Sequence, residues 1–295
     1  LDRLNEERAS LASPGLSDAV LDADISTQES DMLAELERFS SAIGKRLGQM
    51  HQVLAQANER PDFAPEEADD SICNQWITEV HQQLDQALGY LQRLDRAALL
   101  PKDQRRLEAL LQHRDEVFQL VPQLADMGKG SLVFRIHGDL HLGQILVAQD
   151  DAYFIDFEGE PARPLHERGG KSSPFRDVAG VLRSLQYVAA TAAEHTSVVD
   201  NDRAFEQHQA FLERFHESTT KAFSGAYQEA AYEIPHNWHN ASGRQALMDL
   251  FCLEKAAYEV VYEATNRTDW IHIPLHGLLD IVQSQGIPID SSKLH

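Results

Sequence analysis

His137-Gly138-Asp139-Leu140-His141-Leu142-Gly143-Gln144 is the stretch from which the rest of the chain can be organised. Before it, residues 132–136 alternate in polarity and are rich in β-forming side chains, so they predict a strand. After it, residues 144–148 and 152–157 flank an acidic pair and predict a short hairpin. We therefore expect Asp139 on a loop between a strand and a hairpin.

The order of polar residues in this region is that of a phosphotransfer site. In such sites one aspartate meets the acceptor hydroxyl, a later side chain of the loop holds a metal, and a second carboxylate arrives on the next strand. Asp139, Gln144 and Asp156 follow that order, and the predicted hairpin would bring Gln144 and Asp156 together. An amide oxygen beside a carboxylate suits Mg²⁺ or Mn²⁺. Asp139 is then available to accept a proton.

A second chemistry fits part of the same stretch. His137, Asp139 and His141 stand at every second position, and such spacing on an extended segment directs side chains to one side. Histidine nitrogens and carboxylates are common zinc ligands. A metal-dependent hydrolase that uses these three residues is therefore the chemical alternative to phosphotransfer.

The motifs resemble those of a known group of kinases. His137-Gly138-Asp139 followed by Ile155-Asp156-Phe157-Glu158 resembles the aminoglycoside phosphotransferase and choline kinase superfamily, whose catalytic loop usually ends in Asn where this chain has Gln144. The longer run that continues through residues 173–180 resembles the maltokinase branch, and the likeness extends from about Leu47 to Gly277. The resemblance implies a protein-kinase-like C-lobe that uses ATP to convert maltose into maltose 1-phosphate.

The same resemblance implies roles for individual residues. It assigns Asp139 as the catalytic base and Gln144, Asp156 and Glu158 as metal ligands. The supporting residues that it implies are His137, His141 and Asp177. Asp177 would accept hydrogen bonds from the backbone of the catalytic loop and so fix the aspartate base.

A helix near the C-terminus carries the predicted acceptor-binding residues. Lys255, Tyr258 and Tyr262 stand at i, i+3 and i+7 and share one helix face. Such a stripe is also typical of an ordinary packed amphipathic helix, so the spacing alone leaves both interpretations open. The resemblance favours a sugar pocket and implies the set Lys255, Tyr258, Tyr262, Asn266, Arg267 and Asp269.

Composition limits the classes of partner. The chain has 295 residues, of which 42% are hydrophobic, so it can bury a full core. A formal net charge of −21 and the lack of a basic stripe argue against nucleic acid and anionic membranes as partners. No apolar run approaches the roughly 20 residues that span a bilayer. Cys73 and Cys252 do not form a metal-binding or disulfide framework, and we expect a cytoplasmic protein.

The predicted fold class is α+β, mostly α. We expect residues 1–30 to be a polar, poorly structured lead-in and residues 31–295 to form the kinase-like C-lobe. Within that lobe, residues 31–130 predict a helical block, residues 131–158 the catalytic loop and hairpin, and residues 173–295 a helical part that binds the acceptor.

The sequence also predicts that the C-lobe would need a separate nucleotide-binding lobe to hold ATP. Superfamily kinases hold ATP partly through an N-terminal β-rich lobe with a strand lysine and a glycine-bearing loop. Neither G-x-G-x-x-G nor a P-loop occurs in the 295 residues, and no sheet lobe is predicted before residue 31. We therefore expect an incomplete kinase whose partners are a missing nucleotide lobe and possibly a fused trehalose synthase domain. The non-enzyme alternative is a catalytically silent piece that docks to such a domain.

Overall fold

The computed structural model describes residues 18–149, 151–160, 168–196, 202–234 and 241–289. These residues form a mostly helical chain with small antiparallel sheets, in agreement with the predicted fold class. The helices are α1 (Asp18–Leu54), α2 (Asp70–Arg93), α3 (Pro101–Gln112), α4 (Arg114–Met127), α5 (Phe175–Thr196), α6 (Asp202–Ala230), α7 (Ala241–Asn266) and α8 (His272–Ser284). The strands are β1 (Glu66–Glu67), β2 (Leu132–Arg135), β3 (Ile145–Ala148), β4 (Asp151–Phe154) and β5 (Lys171–Ser172).

Helix α1 begins earlier than the sequence pattern indicated. It starts at Asp18 rather than at residue 31, so the described part of the expected lead-in, residues 18–30, is helical. Leu21 and Ile25 stand at i and i+4, which extends the helical spacing of apolar residues towards the N-terminus. Residues 1–17 of the expected lead-in lie outside the described residues.

Helices α3 and α4 are separated at His113, whose backbone has φ −93° and ψ 19°. Pro122 lies inside α4, although proline usually bends or ends a helix. Proline cannot donate to the carbonyl four residues earlier, which here belongs to Phe118. The Nε2 atom of the His81 ring lies 2.9 Å from that carbonyl oxygen. This contact supplies the missing donor, and α4 continues through the proline.

The predicted hairpin is present, and a second small sheet accompanies it. In the hairpin, Ile145 pairs with Phe154 and Ala148 pairs with Asp151. Gln149 adopts φ 54° at the turn, so a left-handed residue other than glycine closes the hairpin. The other sheet is antiparallel with the strand order β1-β2-β5, and its outer strands have two residues each. Strands of two residues are too short to show an alternating pattern in the sequence, so β1 and β5 were not predicted.

The chain divides into two compact units, each with its own internal contacts. The first contains the described residues within 1–50, 145–155 and 185–231. There α1 and α6 approach closely at Gly48, where a Cβ would lie 2.9 Å from the Tyr227 carbonyl oxygen. Glycine permits this distance because it has no side chain.

The second unit contains the described residues within 51–144, 156–184 and 232–289. Helix α7 packs against α2, α4 and α8, and the buried rings of Trp76 and Phe251 meet edge to face at 5.5 Å. This unit holds every residue of the predicted site. Across the described ranges, no helix combines the length and the apolar character that crossing a membrane requires.

Candidate active site

The loop after β2 takes its shape from Gly138 and Leu140. Gly138 has φ 85°, a left-handed conformation that glycine adopts without steric penalty. Leu140 is buried and anchors the other side of the loop. Asp139 lies between them, lines a cleft and keeps 18% of its side chain exposed.

Asp177, in the first turn of α5, holds the backbone of this loop. Its Oδ2 accepts a hydrogen bond from the His137 N–H at 2.8 Å, and its Oδ1 accepts one from the Gly138 N–H at 2.9 Å. The Asp177 side chain is 1% exposed, and a buried carboxylate is stable only when it is well hydrogen-bonded. The Nε2 atom of His51 is a further partner, at 3.0 Å from Oδ2.

Lys255 on α7 lies beside the predicted base. Its Nζ atom is 3.4 Å from Asp139 Oδ1 and 4.8 Å from the centre of the Tyr258 ring. Burial lowers the pKa of Lys255, but the carboxylates of Glu160, Asp139 and Glu259 outweigh that effect and raise its pKa above the ordinary value. Lys255 therefore stays cationic at neutral pH and attracts the carboxylate of Asp139.

Gln144 and Asp156 are brought together, as the hairpin predicted. Gln144 Nε2 donates to Asp156 Oδ2 at 3.0 Å. Asp156 has φ 64°, a strained conformation for a residue other than glycine, and such strain is concentrated at functional sites. Glu158 is exposed two residues further along. The amide and carboxylate oxygens are hard ligands and fit Mg²⁺ or Mn²⁺ better than zinc.

The zinc alternative is contradicted by the structure. Within the described ranges, no three His, Cys, Asp or Glu side chains gather where they could hold a metal ion. The buried ring of His137 packs on Phe157, with 4.7 Å between the ring centres. The Nδ1 atom of His141 accepts a hydrogen bond from the Gly143 N–H at 3.1 Å, and burial lowers the pKa of His141. The segment is a folded loop rather than an extended strand, so the period-two argument does not apply.

The cleft around Asp139 has a volume of about 830 Å³. The buried rings of Trp76 and Phe251 contribute apolar surface, and Tyr258 contributes a ring and a hydroxyl. The charged residues in its lining are Asp62, Glu66, Asp139, Glu160 and Glu254 against Arg135, Arg168, Lys171, Arg176 and Lys255. The lining is thus balanced in charge and rich in hydrogen-bonding groups.

The predicted sugar-binding residues separate into two groups. Lys255 and Tyr258 line the cleft. Tyr262, Asn266, Arg267 and Asp269 are also described by the structure but are not part of this lining. Arg267 instead pairs with Glu263 at 2.8 Å, near the C-terminal end of α7. Sugar binding by these four residues stays a prediction.

Two arginines of α5 form ion pairs that the sequence does not predict, and one of them, Arg176, lines the cleft. Arg176 donates to Glu254 at 3.0 Å and is also hydrogen-bonded to Glu79, while the Arg183 Nε donates to Glu259 at 2.9 Å. The two arginines stand at i and i+7, which could have placed them on one face of α5. Their partners lie too far away in the sequence for any local pattern to identify them.

Comparison with known proteins supports the kinase interpretation. Residues 19–160 match the phosphotransferase enzyme family APH. The chain is 30% identical to a glucosamine kinase of Mycolicibacterium smegmatis over 177 residues, which cover 59% of this chain and 41% of that protein. A glucosamine kinase of Streptacidiphilus jiangxiensis is 27% identical over 161 residues, which cover 55% of this chain and 33% of that protein.

Solved structures show the same fold. A glucosamine kinase in crystal form B gives a TM-score of 0.64 at 20% identity, over 85% of this chain and 59% of that one. A glucosamine kinase in complex with glucosamine, ADP and inorganic phosphate gives 0.63 at 20% identity, over 85% and 56%. The chain therefore spans less than two thirds of the length of each of these similar proteins. None of them carries the maltokinase name.

Proposed function

We propose that this chain carries the acceptor-binding and proton-accepting part of an ATP-dependent sugar kinase. The observation that supports this most directly is the position of Asp139, in a cleft, on a loop held by Asp177. Asp139 accepts the proton of the acceptor hydroxyl as that oxygen bonds to the γ-phosphorus of ATP and the bond to ADP breaks. The Lys255 cation, 3.4 Å away, orients the carboxylate. Most of the rate enhancement then comes from positioning and electrostatics.

The metal in this proposal is Mg²⁺ or Mn²⁺. Gln144 and Asp156 would hold it, and Glu158 would be an additional carboxylate ligand. When bound, the ion supplies positive charge that neutralises the phosphate oxygens. The two side chains are already adjacent, and the Gln144 amide would turn its oxygen rather than its nitrogen towards the ion.

The proposed acceptor is a small sugar. A charge-balanced lining with aromatic rings and many hydrogen-bonding groups suits a polyhydroxylated molecule that is neutral or weakly charged. The two relatives in the superfamily point to glucosamine, and the longer motif in this sequence points to maltose. We place glucosamine first because two separate proteins carry that name, and we keep maltose as the alternative.

ATP is the proposed co-substrate, and its phosphates need groups beyond those in the 295 residues. The sequence contains no G-x-G-x-x-G motif or P-loop. We propose that a nucleotide lobe, supplied by a longer form of the protein, completes the phosphate clamp. A fused trehalose synthase domain and a cytoplasmic location remain predictions from the sequence.

An acceptor panel tests the proposal. ADP release is measured with ATP and Mg²⁺ on the longest native gene product, with glucosamine, maltose, glucose and no sugar as separate reactions. We expect acceptor-dependent ADP release with glucosamine to exceed that with maltose. ADP release with maltose and not with glucosamine would favour maltose, the acceptor that the sequence motif indicates. Equal release in all reactions, including the one without sugar, would contradict a sugar kinase.

A further inference from the structure

The buried carboxylate of Asp177 has a partner that comes from a distant part of the chain. His51 lies near the end of α1, 126 positions from Asp177, and its side chain is fully buried. Its ring also meets Phe134 of β2 edge to face, with 5.7 Å between ring centres. His51 is not part of the cleft lining, so it does not meet an acceptor there.

The donors around Asp177 are divided between its two oxygens. Oδ1 accepts from the Gly138 N–H, whereas Oδ2 is shared by the His137 N–H and the ring of His51. An ionised carboxylate can only accept, so the Nε2 atom of His51 must carry the proton in this contact. His51 therefore restrains the oxygen that holds His137, while Phe134 restrains the ring.

We propose that His51 is a positioning residue for the phosphotransfer step. The ring fixes Asp177, Asp177 fixes the left-handed backbone of Gly138, and Gly138 presents Asp139 to the cleft. The rate of the catalysed step falls when a positioned base moves by about 1 Å, even if the acceptor still binds. The catalytic part of this inference rests on the proposed function, whereas the restraint on the loop does not.

Amide hydrogen exchange on the full chain tests whether His51 restrains the loop, and it requires no enzymatic activity. The His51→Leu variant removes the donor and retains much of the volume, and His51→Gln returns an N–H at a similar distance from the backbone. We expect the amides of His137 and Gly138 to exchange about tenfold faster or more in His51→Leu, because a hydrogen bond to a charged group is lost. Near-native exchange is expected in His51→Gln. His81→Leu is the matched control, because its ring contacts the Phe118 carbonyl away from the loop.

Steady-state kinetics, measured on the longest native gene product, test the catalytic part of the inference. In His51→Leu we expect kcat to fall at least about tenfold with the acceptor KM changed less than about twofold, and His51→Gln to recover most of kcat. Wild-type exchange and wild-type kcat in His51→Leu would overturn the inference. Equal losses of kcat in the Leu and Gln variants would also overturn it. If the wild type shows no kinase activity with any acceptor, the proposed function fails, and the exchange result still decides whether His51 restrains the loop.

Discussion

In the proposed function Asp139 is the base, and its neighbours orient it without replacing it. The Lys255 Nζ atom lies 3.4 Å from Asp139, and its raised pKa keeps it protonated at neutral pH, so it cannot accept the hydroxyl proton. The ring of His141 is turned towards the backbone of its own loop, where it accepts from the Gly143 N–H. The proposed function therefore assigns the acceptance of the hydroxyl proton to the carboxylate of Asp139.

The first residue-scale prediction concerns Asp139→Asn. Because a general base acts mainly in the transition state, we expect kcat to fall by about 10²- to 10⁴-fold while the acceptor KM changes little. Steady-state ADP release against acceptor concentration separates the two constants. Asp151→Asn in the hairpin is the matched control, since Asp151 pairs with Arg46, is not part of the cleft lining and should leave kcat unchanged. A variant at Asp139 with wild-type kcat would remove this residue from the mechanism.

The second residue-scale prediction concerns the charge of Lys255. Burial opposes its cationic form, but the surrounding carboxylates raise the folded-state pKa above the ordinary value of 10.5. Its stabilising contribution is therefore complete below pH 10.5 and is lost as the pH rises through the folded pKa. We expect the difference in Tm between wild type and Lys255→Met to be constant from about pH 6 to 9 and to shift in favour of the variant above about pH 10.5.

The Tm comparison of wild type with Lys255→Met must also be made in proteins that lack the Tyr258 hydroxyl. Burial, followed by the charge of Glu160, raises the pKa of Tyr258, so that hydroxyl titrates in the same alkaline range. Thermal denaturation is therefore repeated with Tyr258→Phe in both proteins. A difference in Tm that changes between pH 6 and 9 would show that Lys255 is not held as a cation.

At the scale of elements, the catalytic loop depends on how closely α5 approaches it. A Cβ at Gly180 of α5 would overlap the carbonyl oxygen of Leu140, which belongs to the backbone and cannot rotate away. Gly225 in α6 is the contrasting case, because a Cβ there meets nothing within 4 Å. The two glycines thus offer the same substitution with opposite expected effects.

We expect Gly180→Ala to destabilise the fold by about 1–3 kcal/mol and to lower kcat, because the overlap displaces the loop that carries Asp139. Gly225→Ala should stabilise the fold by about 0.5–1 kcal/mol, since alanine loses less entropy in a helix. Urea denaturation of both variants gives the free energies of unfolding. A Gly180→Ala variant as stable as Gly225→Ala would show that the loop does not press on α5.

Elements with a local signature were predictable, and those that depend on distant partners were not. The hairpin and the helices follow from short-range periodicity, and the order of Asp139, Gln144 and Asp156 is local as well. The continuation of α4 through Pro122 depends on His81, which lies in another helix. The same limit applies to His51, because nothing near it in the sequence indicates that its ring reaches Asp177.

At the scale of the whole molecule, net charge works against the nucleotide. A chain with a net charge of −21 repels ATP at long range, and Mg²⁺ reduces that repulsion by neutralising phosphate charge. The cations that line the cleft are matched by as many carboxylates, so the lining offers no surplus positive charge for a triphosphate. Acceptor binding has no such barrier, because a small sugar carries little or no charge.

The 295-residue chain should therefore bind an acceptor and yet fail to turn it over. Lys255, Tyr258 and Asp139 are all present in its cleft, whereas the phosphate-clamping lysine and glycine-rich loop of related kinases have no counterpart motif in the sequence. Saturation-transfer NMR with glucosamine and with maltose reports binding, and a coupled assay reports ADP release from the same sample. We expect an acceptor signal that Tyr258→Ala weakens, ADP release near background, and release restored at least about 100-fold in the longest native gene product, since even small misplacement of the phosphorus costs that much. Robust acceptor-dependent release from the 295 residues alone would show that they hold the phosphates unaided and that no additional lobe is needed.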